Sequence, residues 1–222
     1  MTGTNTPEFV LFGGSFNPVH VGHLEIIRQL AALPWVAQVL AVLAGQSPFK
    51  PDAPLLPAEL RLRMLSVATA TLPRVAVLDW ELRRPAPSYT VDTVHGLRQL
   101  YPDARLWLAM GADVYNTFAA WHRPAELLAA AGLLVFPRAD AAGGGATLDP
   151  AALPEPWRAQ VKTDAAGNLA DATGRVVVRH VPLRVPAVAA STLLRERNAS
   201  QVPEPARALL AAYWAQTPAT HS

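Results

Sequence analysis

Phe9-Val10-Leu11-Phe12-Gly13-Gly14-Ser15-Phe16-Asn17-Pro18-Val19-His20-Val21-Gly22-His23 is the stretch on which the reading of this chain turns. Phe9 to Phe12 is a short apolar run of the kind that forms a buried strand, and the residues from Leu24 to Leu30 have helical spacing. A glycine-bearing turn therefore joins a strand end to a helix start. Helix N-termini carry unpaired N–H groups and partial positive charge, which makes them sites for phosphate. His20 and His23, three residues apart, add two protonatable donors beside the same helix end. The arrangement suits a site that handles polyphosphate.

The rest of the chain repeats the alternation. Apolar, β-branched runs at 9–12, 39–43, 75–78, 106–110, 133–136 and 176–181 read as strands. Helical patterns fall at 21–32, 58–71, 91–100, 124–131 and 191–197, with a last one at 203–214. This order predicts an α/β protein, a Rossmann-like doubly wound parallel sheet with helices on both faces. Ligands of such sheets bind at the carboxyl ends of strands, near the point where strand order reverses. The opening stretch stands at such an end. The expected organisation is one domain over 1–222, with a C-terminal helical part at 198–216. The stretch 139–174, rich in Ala, Gly, Asp and Pro, reads as a mobile excursion before the last strand.

Bulk properties exclude several classes of function. With 222 residues and 51% hydrophobic content, the chain can bury a sizeable core. The absence of cysteine removes disulfides, thiolate metal sites and cysteine nucleophiles. No apolar run approaches the ~20 residues of a spanning helix, and residues 1–6 lack a charged-then-apolar signal pattern. The expectation is a cytoplasmic protein without a membrane partner. A net charge of +2 and the lack of a basic block argue against nucleic acid as a partner. Oligomeric state leaves no trace in the sequence, and a homo-oligomer stays open.

Several chemistries compete for the opening stretch. The glycines could simply make a tight turn beside two surface histidines. A metal could bridge His20 and His23, but no third ligand lies nearby, so no protein metal site is expected. The spacing G-G-S-F-N-P fits neither the dinucleotide-binding G-x-G-x-x-G nor the P-loop G-x-x-x-x-G-K-[ST]. A phosphate site here would rely on the histidines and the helix end.

Gly13 to His23 resembles the G-x-F-[DN]-P-x-H-x-G-H signature of nucleotidylyltransferases. Val188 to Arg195, reading V-A-A-S-T-L-L-R, is similar to their second signature, I-S-S-T-x-x-R, about 170 residues downstream. By itself Ser191-Thr192 with Arg195 is a hydroxyl-capped helix end plus a guanidinium, again an anion site. Pro87-Ser88-Tyr89-Thr90-Val91-Asp92-Thr93, Gly111-Ala112-Asp113 with Phe118 and Trp121, and Gln46-Ser47-Pro48-Phe49-Lys50 resemble segments of one branch. That branch is the bacterial nicotinate-mononucleotide adenylyltransferases, enzymes of NAD biosynthesis.

The resemblance implies transfer of AMP from ATP to nicotinate mononucleotide, giving deamido-NAD and pyrophosphate by in-line attack on the α-phosphorus. It implies an ATP site at Gly13, Gly14, Ser15, Phe16, His20, His23, Lys50, Ser191, Thr192 and Arg195, with His20, His23 and Arg195 nearest the chemistry. Mg²⁺ would be carried mainly by the ATP phosphates. The mononucleotide would meet Tyr89, Thr90, Gly111, Asp113 and Trp121, the indole stacking on the pyridine ring. Three positions depart from the pattern: Phe49 replaces a histidine, Ala190 a serine, and Asn17 an aspartate, which also organises turns. The alternatives are an adenylyltransferase for another phosphate, such as phosphopantetheine, and a catalytically silent nucleotide-binding module.

Overall fold

The computed structural model describes residues 6–45, 55–137, 148–184, 193 and 196–217. Its frame is one eight-stranded sheet in the order β3-β2-β1-β4-β5-β8-β7-β6. The strands are β1 (Glu8–Gly14), β2 (Val36–Leu43), β3 (Val75–Leu78), β4 (Arg105–Gly111), β5 (Gly132–Phe136), β6 (Lys162–Thr163), β7 (Leu169–Ala170) and β8 (Val176–His180). The six from β3 to β8 in that order run parallel, while β7 and β6 are antiparallel additions at the far edge. The doubly wound α/β expectation therefore holds for the main sheet.

Alternation along the strands sends side chains into two cores. On one face Val10 and Phe12 of β1 and Trp107 and Ala109 of β4 pack with α1 (Val21–Ala32), α2 (Ala58–Thr69) and the C-terminal helix. On the other, Leu11, Leu106, Leu108 and Met110 pack with α3 (Thr90–Leu100) and α5 (Pro124–Ala130), which follows the single turn α4 (Ala112–Tyr115). Each large aliphatic side chain buried in this way is worth roughly 1.5–3 kcal/mol. In β5 a Cβ on Gly132 would stand 2.6 Å from the Trp107 ring, so the absence of a side chain there lets two neighbouring strands close over a fully buried indole.

Part of 139–174 departs from the excursion expected. Within its described residues, a 3₁₀ turn (Pro150–Ala152), the one-turn helix α6 (Trp157–Gln160), β6 and β7 continue the sheet beyond β8. Asp164 and Asp171 hold the two turns by accepting backbone N–H bonds from the residues just after them. A second 3₁₀ turn, Trp80–Arg83, lies where the sequence showed no periodic pattern.

The C-terminal helix, α7 (Glu204–Gln216), begins after Pro203. Most of the helix expected at 191–197 lies outside the described residues. Its end is visible, because Asn198 N–H donates to the Leu193 carbonyl and Arg197 is left-handed at φ 48°, the Schellman pattern that closes a helix. The Arg197 guanidinium in turn donates to the Trp214 and Thr217 carbonyls at the end of α7. No helix among the described residues is long and apolar enough to cross a membrane.

Candidate functional site

The order of the strands places a switch point between β1 and β4: the chain winds from β1 toward β3 on one side and from β4 toward β8 on the other. Gly13 and Gly14 end β1 and Gly111 ends β4, so the first motif and the Gly111–Asp113 segment open into the same crevice.

Within the motif the glycines are not the turn. Both are paired in β1, opposite Val42 and Leu43 of β2, and neither has a positive φ. The left-handed residue is Phe16, at φ 43°, an uncommon conformation for a bulky side chain. Its ring is fully buried, 4.9 Å edge-on from the His23 ring, and burial holds the strained backbone in place. A Cβ on Gly14 would touch the Phe16 ring at 3.4 Å, whereas one on exposed Gly13 would meet nothing within 4 Å. The fold uses the smallness of Gly14; at Gly13 it leaves open room for an approaching ligand.

His20 is the N-cap of α1 and His23 its third residue, and the two cap each other. His23 N–H donates to His20 Nδ1 and His20 N–H to His23 Nδ1, both at 3.3 Å, with the rings stacked at 3.6 Å. This is the reciprocal logic of a capping box with imidazoles in both places. Since each Nδ1 accepts, each neutral ring carries its proton on Nε2, on the far side from the cap. Adding a proton to Nδ1 would break the cap. Burial also lowers both pKa values, that of His20 to about 4 and that of His23 well below its usual value, with the His20 charge a further cause for His23. The expected protonatable pair is thus a pair of neutral donors.

The helix end also differs from the bare cradle expected. Val21 N–H is taken by the Gln201 carbonyl, His23 N–H by His20, and Leu24 N–H by the His20 carbonyl. With those amides used inside the protein, an anion arriving here is offered imidazole N–H groups in their place.

The sequence-derived residues for the second substrate are also drawn together. Tyr89 caps α3, and its ring stacks on His122 at 4.0 Å, while Arg123 pairs with Asp92 of α3. These contacts bring the Tyr89–Thr90 corner to the loop bearing Trp121. Half-buried Trp121 leans on fully buried Phe118 at 5.6 Å, a supported indole with part of its surface open. Asp113 is exposed in the first turn of α4, with a carboxylate oxygen 2.7 Å from where a Gly111 Cβ would stand. Glu81 links the two halves. Its buried carboxylate accepts from Thr93 Oγ1 at 3.2 Å and from Gly45 N–H, and burial raises its pKa. Lys50, Ser191, Thr192 and Arg195 lie outside the described residues.

Sequence reading passed over Arg61 and His122. Arg61 occupies the apolar face of α2 at the spacing Arg61, Met64, Leu65, Ala68, and an arginine on a buried stripe was the available signal. His122 carried none, since an aromatic beside Trp121 reads equally well as exposed loop.

Comparison with known proteins shows the family and the fold. The cytidylyltransferase-like family profile matches residues 11–197. A Bacteroides fragilis protein named "Probable nicotinate-nucleotide adenylyltransferase" is 37% identical over 128 residues, which are 58% of this chain and 64% of that protein. Proteins of the same name from Thermus thermophilus and from a Synechococcus strain are 44% and 37% identical, over 59% and 73% of their own lengths and 50% and 68% of this chain. The match thus spans less than two thirds of the first and second of these three relatives. Among solved structures, Plasmodium falciparum nicotinic acid mononucleotide adenylyltransferase complexed with NaAD superposes with a TM-score of 0.65 at 12% identity, covering 94% of this chain and 96% of that one. That likeness is one of fold.

Proposed function

Since the chain belongs to the cytidylyltransferase-like family, we propose that it transfers AMP from ATP to nicotinate mononucleotide, forming deamido-NAD and releasing pyrophosphate. The mutual capping of His20 and His23 carries this reading. It leaves two neutral Nε2–H donors side by side at the switch-point crevice, suited to hydrogen-bonding the oxygens of a triphosphate. The names of the relatives support the choice of acceptor.

In this reading a phosphate oxygen of the mononucleotide attacks the α-phosphorus of ATP. A new P–O–P link forms as the α–β bridge breaks, and the electron pair leaves on pyrophosphate. The work of the protein is positioning and electrostatic stabilisation. His20 and His23 donate to phosphate oxygens, and Gly13 to Phe16 line the nucleotide. Lys50, Ser191, Thr192 and Arg195 hold the leaving phosphates. Tyr89 and Thr90 meet the nicotinate carboxylate, Trp121 stacks on the pyridine ring, and Gly111 and Asp113 face ribose hydroxyls. Mg²⁺ would enter with ATP, carried mainly by its phosphates.

The test is incubation with ATP, Mg²⁺ and either the acid or the amide mononucleotide. Pyrophosphate and the matching dinucleotide are expected, with the acid preferred in kcat/KM. Absence of product with both forms would reject the reading.

A further inference from the structure

Arg61 enters α2 at its fourth residue and is only 3% exposed. Its Nη1 donates to the Ser15 carbonyl at 2.7 Å and the Ala44 carbonyl at 3.0 Å, and its Nε to the Leu56 carbonyl at 3.1 Å. Ser15 belongs to the first motif, Ala44 directly follows β2, and Leu56 precedes α2. The Asn17 side chain completes the latch by accepting Leu56 N–H at 2.8 Å. One guanidinium therefore gathers the three chain segments around the β1 end. No carboxylate among the described residues forms an ion pair with it, and burial lowers its pKa.

Two consequences follow from elementary geometry and charge. The Ser15–Phe16 peptide is trans, so a carbonyl held toward Arg61 turns the Phe16 N–H to the opposite side. A buried cation whose described partners are all neutral carbonyls keeps its full charge, in surroundings that screen it weakly. We propose that Arg61 is a positioning residue for the triphosphate, orienting the Ser15–Phe16 peptide and backing the Gly13–Phe16 stretch with a buried positive charge.

This inference rests on the ATP reading of the first motif. A purely structural staple would lower stability and weaken both substrates alike. A positioning role weakens the triphosphate selectively.

The full-length chain is compared with Arg61→Lys, which keeps the charge but not the fork, and Arg61→Gln, which loses both. Thermal unfolding, calorimetric binding of α,β-methylene-ATP, and KM for each substrate are read. Arg61→Lys should fold and bind the analogue about tenfold more weakly, and Arg61→Gln about a hundredfold, in the range expected for lost charge-assisted hydrogen bonds. KM for the mononucleotide should stay within about twofold of the parent's if only the triphosphate interactions are removed. Analogue binding that is unchanged in folded Arg61→Lys, or both substrates weakening in parallel, overturns the proposal. If Arg61→Gln does not fold, Arg61→Lys decides. A parent protein that binds the analogue yet makes no product would refute the proposed reaction and leave the binding comparison able to judge Arg61.

Discussion

At the residue scale the proposed reaction gives the imidazole pair two jobs with one geometry. Nδ1 of each ring closes the helix end, and Nε2–H is left for a ligand. The two jobs can be separated. Asparagine at position 20 still offers a cap acceptor to His23 N–H but lacks the far-side donor. His20→Asn should therefore unfold near the parent's temperature while losing about 10²–10³-fold in kcat, the usual cost of one preorganised donor. Unchanged kcat in this variant would contradict the phosphate role. The same residue sets a pH dependence. The folded rings resist protonation, His20 down to about pH 4 and His23 well below its usual value, whereas unfolded histidines take protons near pH 6.5. Between those values the unfolded chain binds more protons, so the stability present above pH 6.5 falls as pH drops toward 4. Melting temperatures measured from pH 7 to pH 4 should show that decline, less steeply in His20→Asn. The sequence revealed two histidines at a helix start but not their mutual cap, because N-caps are normally Ser, Thr, Asp or Asn.

Single elements differ in how far sequence exposes them. β3 and α1 occupy the ranges that periodicity assigns, since each carries an uninterrupted pattern. β1 is longer than its apolar run because Gly13 and Gly14 pair with β2 despite having no side chain to bury. β6 and β7, two residues each, lack the length for any period to register, and their pairing depends on contacts with β8. Gly132 in β5 shows the same limit at one position. It reads as an ordinary strand-start glycine, yet the Trp107 ring fills the space beside it. That indole cannot readily move: its Nε1 donates to Glu8, and Arg105 and Arg179 stack on it at 4.4 and 4.7 Å. Gly132→Ala should therefore cost about 1–3 kcal/mol by overpacking. In urea the unfolding midpoint should fall with the slope unchanged; an unaltered midpoint would show that the ring can yield.

Across the whole molecule, one sheet runs from β3 to β6 between two cores that share its central strands. A chain organised in this way should unfold in a single cooperative transition, with calorimetric and van't Hoff enthalpies in agreement. Two resolved transitions would show that the edge from β8 to β6 melts separately. Fold class was readable early because alternating strands and helices allow few layered arrangements. Of the proposed site, the motif residues for both substrates could be named from sequence, but the contacts joining Tyr89 to His122 and Gly45 to Glu81 form only between segments distant in sequence.

Helix α1 holds the chain on both sides of the stretch 185–200. Gln29 reads the backbone of Arg184 twice, Nε2 to its carbonyl at 2.7 Å and Oε1 from its N–H at 2.8 Å, and Val21 N–H takes the Gln201 carbonyl at 2.8 Å. The points where that stretch departs and rejoins are thus spaced by a rod of fixed pitch, eight residues or roughly 12 Å from Val21 to Gln29. Insertions or deletions between the anchors leave both endpoints where they are. An engineer could therefore displace Ser191, Thr192 and Arg195 by changing the length of that stretch while the histidines at the head of the rod keep their place.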